Sequence, residues 1–431
     1  MQNSVDFNDF IDHDYVNFAS YDNIRKIASY IDGQKNSMRK ILFVALQREN
    51  KFETCDILSS SIKAKSCYIH GSLDGVLVNM CQAFTGSNNV PYFQRDGFFG
   101  TKLTPQATAM RYISAAREKY LDKIFIPEYN EVLVNQVFEG HQVEPAFYVP
   151  IIPMLLLNGS AGLSVGFAQK IFPRKLSNIL EYILEGKEYK DSIFYRGYTG
   201  RIENNLEKVK FIGNYKMVKD NRLEITELPI SFNRDKYVAH LEKLKDKKII
   251  KWYTDSSETD TDKYNFLIWL NPDSIADENL VGKLGLVENE SENYTCLDKN
   301  NRVVVFKSAK ELLDAYCEVK KEYTEKWKNW KLSSLDSTVK DLQNKYRFLK
   351  LKIDLKRNIN DLKSELENKK FEKIDSLLSM PINHYTTEKQ NEIANTIEKL
   401  EKEIKILGAR KIMSIWKNEI EDLVKVIGDL V

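Results

Sequence analysis

Cysteine is scarce: Cys55, Cys67, Cys81, Cys296 and Cys317 are the only five in 431 residues, an odd count with no C-x-x-C pair. That argues against a disulfide-stapled scaffold or a zinc ribbon and for a reduced, cytoplasmic setting. Histidine is equally rare, and His13, His70, His141, His240 and His384 show no zinc-ligand spacing. Long apolar runs are missing too. The longest, Phe147 to Leu157, is broken by Pro150 and Pro153, so it cannot span a bilayer, and the opening residues do not read as a signal peptide. Nor is there an excess of one charge: 64 Lys and Arg against 62 Asp and Glu leave +2. A histone-like polycation is excluded, but a local basic site is not.

What is present is apolar material in quantity, 42% of the chain with 11% aromatics, enough for several cores and too much for a disordered chain. At roughly 150 residues per domain the length suggests about three domains. The charge is segregated. Residues 1–20 carry Asp6, Asp9, Asp12 and Asp14 and no Lys or Arg, whereas residues 21–125 carry 15 Lys and Arg against 9 Asp and Glu. An acidic arm thus precedes a basic region suited to a polyanion such as DNA.

Within that region, helical character is expected over Met38–Arg48, Leu73–Phe84 and Gln106–Leu121, with the Pro, Gly and aromatic stretch NNVPYFQRDGFFG between the last two as a hairpin or wing. Helix, helix, wing, helix is the order of a winged-helix domain. From about 186 to 310, β-branched and aromatic segments such as Phe194–Tyr198, Leu223–Thr226, Phe266–Leu270 and Val303–Phe306 predict an α/β domain with several strands. After 311 the chain turns Lys/Glu-rich. Leu332, Leu335, Val339, Leu342, Tyr346, Leu349 and Ile353 form one heptad seam, and Ile393, Ile397, Leu400, Ile404 and Leu407 a second. With a compact insert between them, they predict an antiparallel coiled-coil arm with a knob at its tip; a helical bundle is the alternative.

Several residues could carry chemistry. Tyr112 is a candidate nucleophile beside Arg111, whose guanidinium could favour a phenolate and hold a phosphate. His70, in YIHG, could move protons. Lys35 and Arg39 lie four apart after Asp32-Gly33, with Lys40 adjacent, and could grip a phosphate backbone. The glycine-rich NGSAGLSVG matches neither a Walker loop nor a dinucleotide fingerprint, but could project Leu163 as a wedge between base steps. Asp260-Thr261-Asp262 resembles a metal pair and is better read as a solvated turn. For each of these taken alone, an ordinary structural role is the default.

Taken together and in order, Arg25, DGQKNSMRKILF, YIHG, GSNNVPYFQRDGFFGTKL, AMRY and VEPAFYVPIIPMLLLNGSAGLSVGF resemble the DNA cleavage and religation core of type IIA DNA topoisomerases, on the gyrase A side. ITELP at 225–229 resembles the family's tower, and LLSMP followed by YTTEKQNEI its coiled-coil tip. The resemblance implies a multidomain α+β chain: an acidic arm over 1–24, a winged-helix cleavage domain over 25–130, an α/β tower over 131–315, and a coiled coil with a dimerising tip over 316–431. It implies that Tyr112 attacks a backbone phosphate, that Arg111 stabilises the transition state, and that His70 is the active-site histidine. Arg25, Lys35, Arg39 and Lys40 would lie along the DNA backbone, and Leu163 would intercalate and bend the duplex. Two positions depart from the pattern: Lys35-Asn36 stands where the family has Lys-Pro, and Ile69 where it has a second histidine. No ATP-binding motif and no convincing acidic metal cluster are visible, so Mg2+ and ATP are expected on a partner subunit with ATPase and Toprim domains. Double-stranded DNA, that partner and a second copy of the chain are the implied partners, with no membrane. Without a gyrase-type wrapping domain, relaxation and decatenation are expected. The competing reading is a non-catalytic winged-helix architectural protein dimerised by a coiled coil.

Overall fold

The computed structural model describes residues 6–65, 72–204, 208–218, 221–259, 262–275, 279–351 and 358–428. The chain is α+β and divides into two compact units, one of residues 1–320 with 417–431 and one of 321–416.

The first unit opens on a helical run: Phe7–Asp9, a π-type turn Phe10–Tyr15, then α1 (Val16–Lys26), with the Asp6 carboxylate capping the start through the Asn8 amide at 3.0 Å. Next come α2 (Asn36–Gln47), α3 (Cys55–Lys65) and α4 (Asp74–Cys81). The apolar spacing of α2 explains its packing, since Ile41, Leu42, Val44 and Ala45 are all buried. These helices accompany an antiparallel sheet of β1 (Glu53–Thr54), β3 (Ser114–Arg117) and β2 (Phe93–Asp96), with β3 in the centre. Its register pairs Thr54 with Ser114 on one side and Asp96 with Ser114 on the other.

This sheet corrects the helix expected over Gln106–Leu121. The segment forms only a 3-10 turn, Met110–Tyr112, before entering β3. Its alanines favour helix locally, but a central strand has backbone partners on both edges, and that pairing overrides propensity.

Farther on, β4 (Ser160–Ser164) and β5 (Phe167–Ile171) form a hairpin. A four-stranded antiparallel sheet then runs in the order β6 (Tyr215–Val218), β7 (Arg222–Ile225), β9 (Phe266–Leu270), β8 (Ile250–Asp255). Alternate residues of β7 and β9 point inward, so Leu223, Ile225, Phe266, Ile268 and Leu270 meet Tyr237 and Leu241 of α5 (Arg234–Asp246) in one core. Asn233 caps α5 by accepting from the Lys236 amide at 2.9 Å. Leu103, from the cleavage region, is fully buried in the same core. Phe194–Tyr198, expected as a strand, is irregular instead: Tyr195 packs inward on Phe211, and the Arg196 amide donates to Asn89 Oδ1 at 2.8 Å.

The second unit is built on α6 (Ala309–Lys350), which enters it at residue 321, and α9 (Thr387–Ala409). Lys328 Nζ donates to the carbonyls of Gly408 and Arg410, at 2.9 and 2.7 Å, and Gln343 Nε2 to Glu401 Oε1 at 2.9 Å. Advance along one helix is thus retreat along the other: the pair is antiparallel. Each described seam residue is buried or half-buried, and Leu332, Leu335, Leu400, Ile404 and Leu407 share a cluster with Trp327 and Ile415. Ile353 lies outside the described residues. Beyond the seam, α7 (Ile359–Asn368) and α8 (Ile374–Leu378) close a small separate core of Phe348, Leu366, Phe371 and Leu377. The last helix, α10 (Ile412–Ile427), leads from this unit back into the first.

Candidate nucleic-acid interface

Tyr112 ends the 3-10 turn that leads into β3. The turn is held from the residue that follows. Ile113 is fully buried, and its carbonyl accepts from the Cys55 amide at 2.9 Å. Gly97, at φ +96°, lies against the same point. A Cβ there would stand 3.0 Å from Ile113 Cγ2 and 3.1 Å from the Tyr112 carbonyl oxygen, and the positive φ is strained for any other L residue. With Ile113 anchored, Tyr112 projects outward, 74% exposed, and the Arg111 guanidinium sits 5.6 Å from its ring centroid. An exposed phenol with a cation over its ring, on a turn whose backbone is fixed, can meet a phosphate without burying either group beforehand. His70 lies outside the described residues.

The cations named from sequence divide into two kinds. Arg39 is 3% exposed, and its Nε donates to Asp32 Oδ2 at 2.7 Å while Nη2 donates to the Gln34 carbonyl at 3.0 Å. Asp32 also accepts from the Gln34 and Tyr148 amides, at 2.9 and 3.0 Å, so it is the hub of the DGQK turn. Gly33, at φ +69°, allows that turn to press on the backbone of Leu155. Lys40 is 7% exposed and pairs with Glu144 at 2.6 Å. The shared exposed face expected of Lys35 and Arg39 is therefore not formed. Arg39 and Lys40 spend their charges on buried carboxylates, since an unpaired buried cation would be far costlier.

Arg25 and Lys35 differ. Arg25 is half-buried near the end of α1, its guanidinium 5.6 Å from the Tyr21 ring centroid. Lys35, in extended conformation just before α2, donates from Nζ to the Ala161 carbonyl at 2.6 Å, and burial pushes its ammonium below the ordinary lysine range. Ala161 belongs to β4, two residues before Leu163. Lys35 thus joins the cationic turn to the hairpin.

Leu163 is 77% exposed on β4, paired with Ala168, and the turn residues Val165 and Gly166 follow Ser164. A buried leucine, the default for the motif alone, is not what the fold produces. Around it the hairpin is fastened to α1. The Val165 amide donates to Asp22 Oδ2 at 3.2 Å, and the Ser164 hydroxyl donates to Asn23 Oδ1. Burial works to raise the Asp22 carboxyl, but Lys26 and the Val165 amide outweigh it and hold it below its usual value. Gln169, on β5, accepts from the Ala28 amide at 3.1 Å and donates to the Thr295 carbonyl at 2.8 Å.

Two constellations result: Arg111 with Tyr112 at the mouth of the winged sheet, and Arg25, Lys35 and Leu163 where α1 meets the hairpin. Asp22, Asn23 and Gln169 were not found from sequence. Their partners lie 126 to 143 positions away, and no local pattern marks them. Glu227 of the ITELP motif is a buried acceptor for Lys102 at 3.1 Å and for the Thr199 hydroxyl at 2.9 Å. Among the described residues no three His, Cys, Asp or Glu side chains converge as a metal site, and no helix is long and apolar enough to cross a membrane. Asp260 and Thr261 lie outside the described residues.

Known proteins share this arrangement. The chain is 29% identical to the mitochondrial DNA topoisomerase 2 of Dictyostelium discoideum, over 97% of its own length and 35% of that protein. It is 30% identical to DNA topoisomerase 2 of Saccharomyces cerevisiae, over 84% of its length and 27% of the relative. It therefore spans about a third of the curated relatives it matches. A crystal structure of the Plasmodium falciparum topoisomerase II DNA-binding, cleavage and re-ligation domain superposes with a TM-score of 0.87 at 27% identity, covering 98% of this chain and 64% of that one. Residues 25–421 match the model of the DNA gyrase/topoisomerase IV A-subunit family, and the chain belongs to that family.

Proposed function

We propose that this chain is the breakage-reunion part of an ATP-dependent type IIA topoisomerase, cutting both strands of a DNA duplex, letting another duplex pass, and resealing the break. The observation that carries this reading is the Arg111–Tyr112 turn: an outward phenol beside a guanidinium, anchored by fully buried Ile113. In the step we assign to it, the Tyr112 oxygen bonds to a backbone phosphorus and the bond from phosphorus to the 3′ oxygen breaks. The phenol proton passes to a base, His70 or water, and the departing 3′ oxygen takes up a proton. The product is a 5′-phosphotyrosine ester and a free 3′ hydroxyl, and attack by that hydroxyl reverses the step. Arg111 offsets charge gathering on the phosphate oxygens. Because the ester keeps the energy of the broken bond, resealing needs no outside source.

Around this step we assign Arg25 and Lys35 to the DNA backbone and Leu163 to the wedge that bends the duplex. Arg39 and Lys40 support the turn beneath them. Mg2+ and ATP belong, in this reading, to a partner subunit with Toprim and ATPase domains. The described residues of this chain do not form a fitting metal site, so the steps above use its own groups alone. Residues 25–130 would be the cleavage domain and 131–315 the tower. Residues 316–431 would hold the coiled coil, whose tip joins two copies so that two tyrosines face opposite strands. The acidic arm, with Phe7, Phe10 and Phe18 exposed among its aspartates, is assigned to the partner subunit. The motif set is most similar to the medium subunit of the T-even phage topoisomerase, which would place the protein in the cytoplasm of a host cell and give relaxation and decatenation without supercoiling.

The test is covalent trapping with Mg2+ and the partner subunit. Wild type should remain attached to DNA after denaturation, and Tyr112→Phe should lose both attachment and strand passage by at least roughly a thousandfold. A Tyr112→Phe protein that still forms the adduct has its nucleophile elsewhere. A wild type that never forms one is the architectural protein instead.

A further inference from the structure

Every neighbour of Leu163 within two positions is fastened, and Leu163 alone is loose. At Ala161 the carbonyl accepts from Lys35 Nζ at 2.6 Å. At Gly162 the end of α1 comes so near that a Cβ would lie 2.2 Å from the Lys26 carbonyl oxygen, closer than any real contact. At Ser164 the hydroxyl is held by Asn23, and at Val165 the amide by Asp22 at 3.2 Å. Asp22 and Asn23 are themselves 5% and 7% exposed, whereas Leu163 is 77% exposed. Fastening on both sides with the centre free is unnecessary for a hairpin whose strands already pair over five positions. It is what a side chain needs if it must enter a base step at one angle, because a wedge that can tilt loses contacts as it is pushed in.

We propose that Asp22 and Asn23, at the end of α1, are positioning residues that set the pitch of the Leu163 wedge, with Lys35 and Gly162 completing the bracket. This rests on the reading of Leu163 as the bending wedge. Its consequence is that the helical run from Phe7 to Lys26 reaches the bending element directly through its last two turns. Asp22 acts here as an acceptor for an amide, so an amide side chain can replace it. Asn23 acts as an acceptor for a hydroxyl. Neither touches the wedge itself.

The test measures DNA bending by energy transfer between dyes at the two ends of a short duplex, with the full chain assembled with its partner subunit. DNA affinity and the thermal midpoint are measured alongside. Leu163→Ala should lower the bent fraction roughly five- to tenfold. The Asp22→Ala/Asn23→Ala double variant and Gly162→Ala should lower it by a similar factor with Leu163 still present. Asp22→Asn should restore most of it, which a merely destabilised fold would not do. If Leu163→Ala bends DNA as wild type does, the wedge reading fails. If Leu163→Ala loses bending while both bracket variants keep it, the wedge stands and the bracket is refuted. Should the double variant not fold, Gly162→Ala decides the matter by the same criterion.

Discussion

Lys320 is the most deeply buried cation in the described structure, and removing its counter-charge should cost more than removing the lysine itself. Its side chain is 0% exposed; Glu419, on α10, stands 3.0 Å from Nζ at 12% exposure. The Tyr129 hydroxyl donates to the other Glu419 oxygen at 2.8 Å, and the ammonium lies 3.9 Å from the Tyr129 ring centroid. Burial pushes Lys320 below its ordinary pKa, and Glu419 opposes that shift. Glu419→Gln keeps the shape and an acceptor for Tyr129 but removes the negative charge. Loss of one partner from a buried pair costs about 3–5 kcal/mol. There is a ceiling, since the lysine can shed its proton: from an ordinary value near 10.4 down to pH 7 is about 3.4 units, or roughly 4.6 kcal/mol. The Tyr129 ring face remains and is worth about 1–2 kcal/mol to a desolvated cation, so the expected loss is about 3 kcal/mol. Lys320→Met instead removes the buried charge, leaves Glu419 with its Tyr129 bond and some solvent, and should fall within about 1 kcal/mol of wild type.

The assay is urea unfolding of the full chain followed by tryptophan fluorescence. The chain has two compact units, so the transition is compared among variants rather than read as one two-state midpoint. A pH series adds a second limb. A lysine whose folded pKa is depressed binds fewer protons folded than unfolded, so stability rises with pH as it approaches the ordinary 10.5. The Glu419→Gln deficit should therefore shrink over that rise, and the Lys320→Met/Glu419→Gln pair should show no such closing. If Glu419→Gln costs less than about 1 kcal/mol, or Lys320→Met costs as much as Glu419→Gln, the reasoning is refuted.

Two further outcomes are expected. Joining Lys320 to Lys417 through a short Gly/Ser linker, in place of 321–416, should leave a folded monomer by sedimentation; a stable dimer without that unit would remove the tip from the dimer contact. Deleting residues 1–20 should weaken capture of the partner carrying the ATPase and Toprim domains by at least about tenfold while the Tyr112 region stays folded, and undiminished capture would rule the arm out.

The parts legible in sequence are those whose signal is short-range. The two heptad seams could be read because spacing alone defines them, and their described members are the less exposed residues of α6 and α9. The Asp32-Gly33-Gln34-Lys35 turn could be read as a turn because its glycine and its carboxylate act within seven positions. What could not be read depended on distant partners. Lys40 looks like a free cation until Glu144, 104 positions on, is brought beside it. The stretch around Tyr112 looks helical because β1 and β2, which claim β3 as their centre, lie outside any local window. Asp22 and Asn23 look like ordinary polar residues of a helix end for the same reason.

The same residues show how this fold separates holding from doing. Tyr112 is 74% exposed and the adjoining Ile113 is 0%; Leu163 is 77% exposed, and the side chains fastening its neighbours at Ser164 and Val165 are under 10%. An exposed side chain contributes little to stability, so Tyr112 and Leu163 can be exchanged for Phe and Ala at a cost within about 0.5 kcal/mol. Ile113 cannot: truncation to Ala would open a cavity beneath the turn at about 2–5 kcal/mol. Loss of activity with the fold intact should therefore mark the exposed members of each pair. Loss of both together should mark the anchors. A substitution at Asp22 that abolished bending while leaving the unfolding midpoint unmoved would belong to neither group, and that is the behaviour expected of a residue whose work is to aim another.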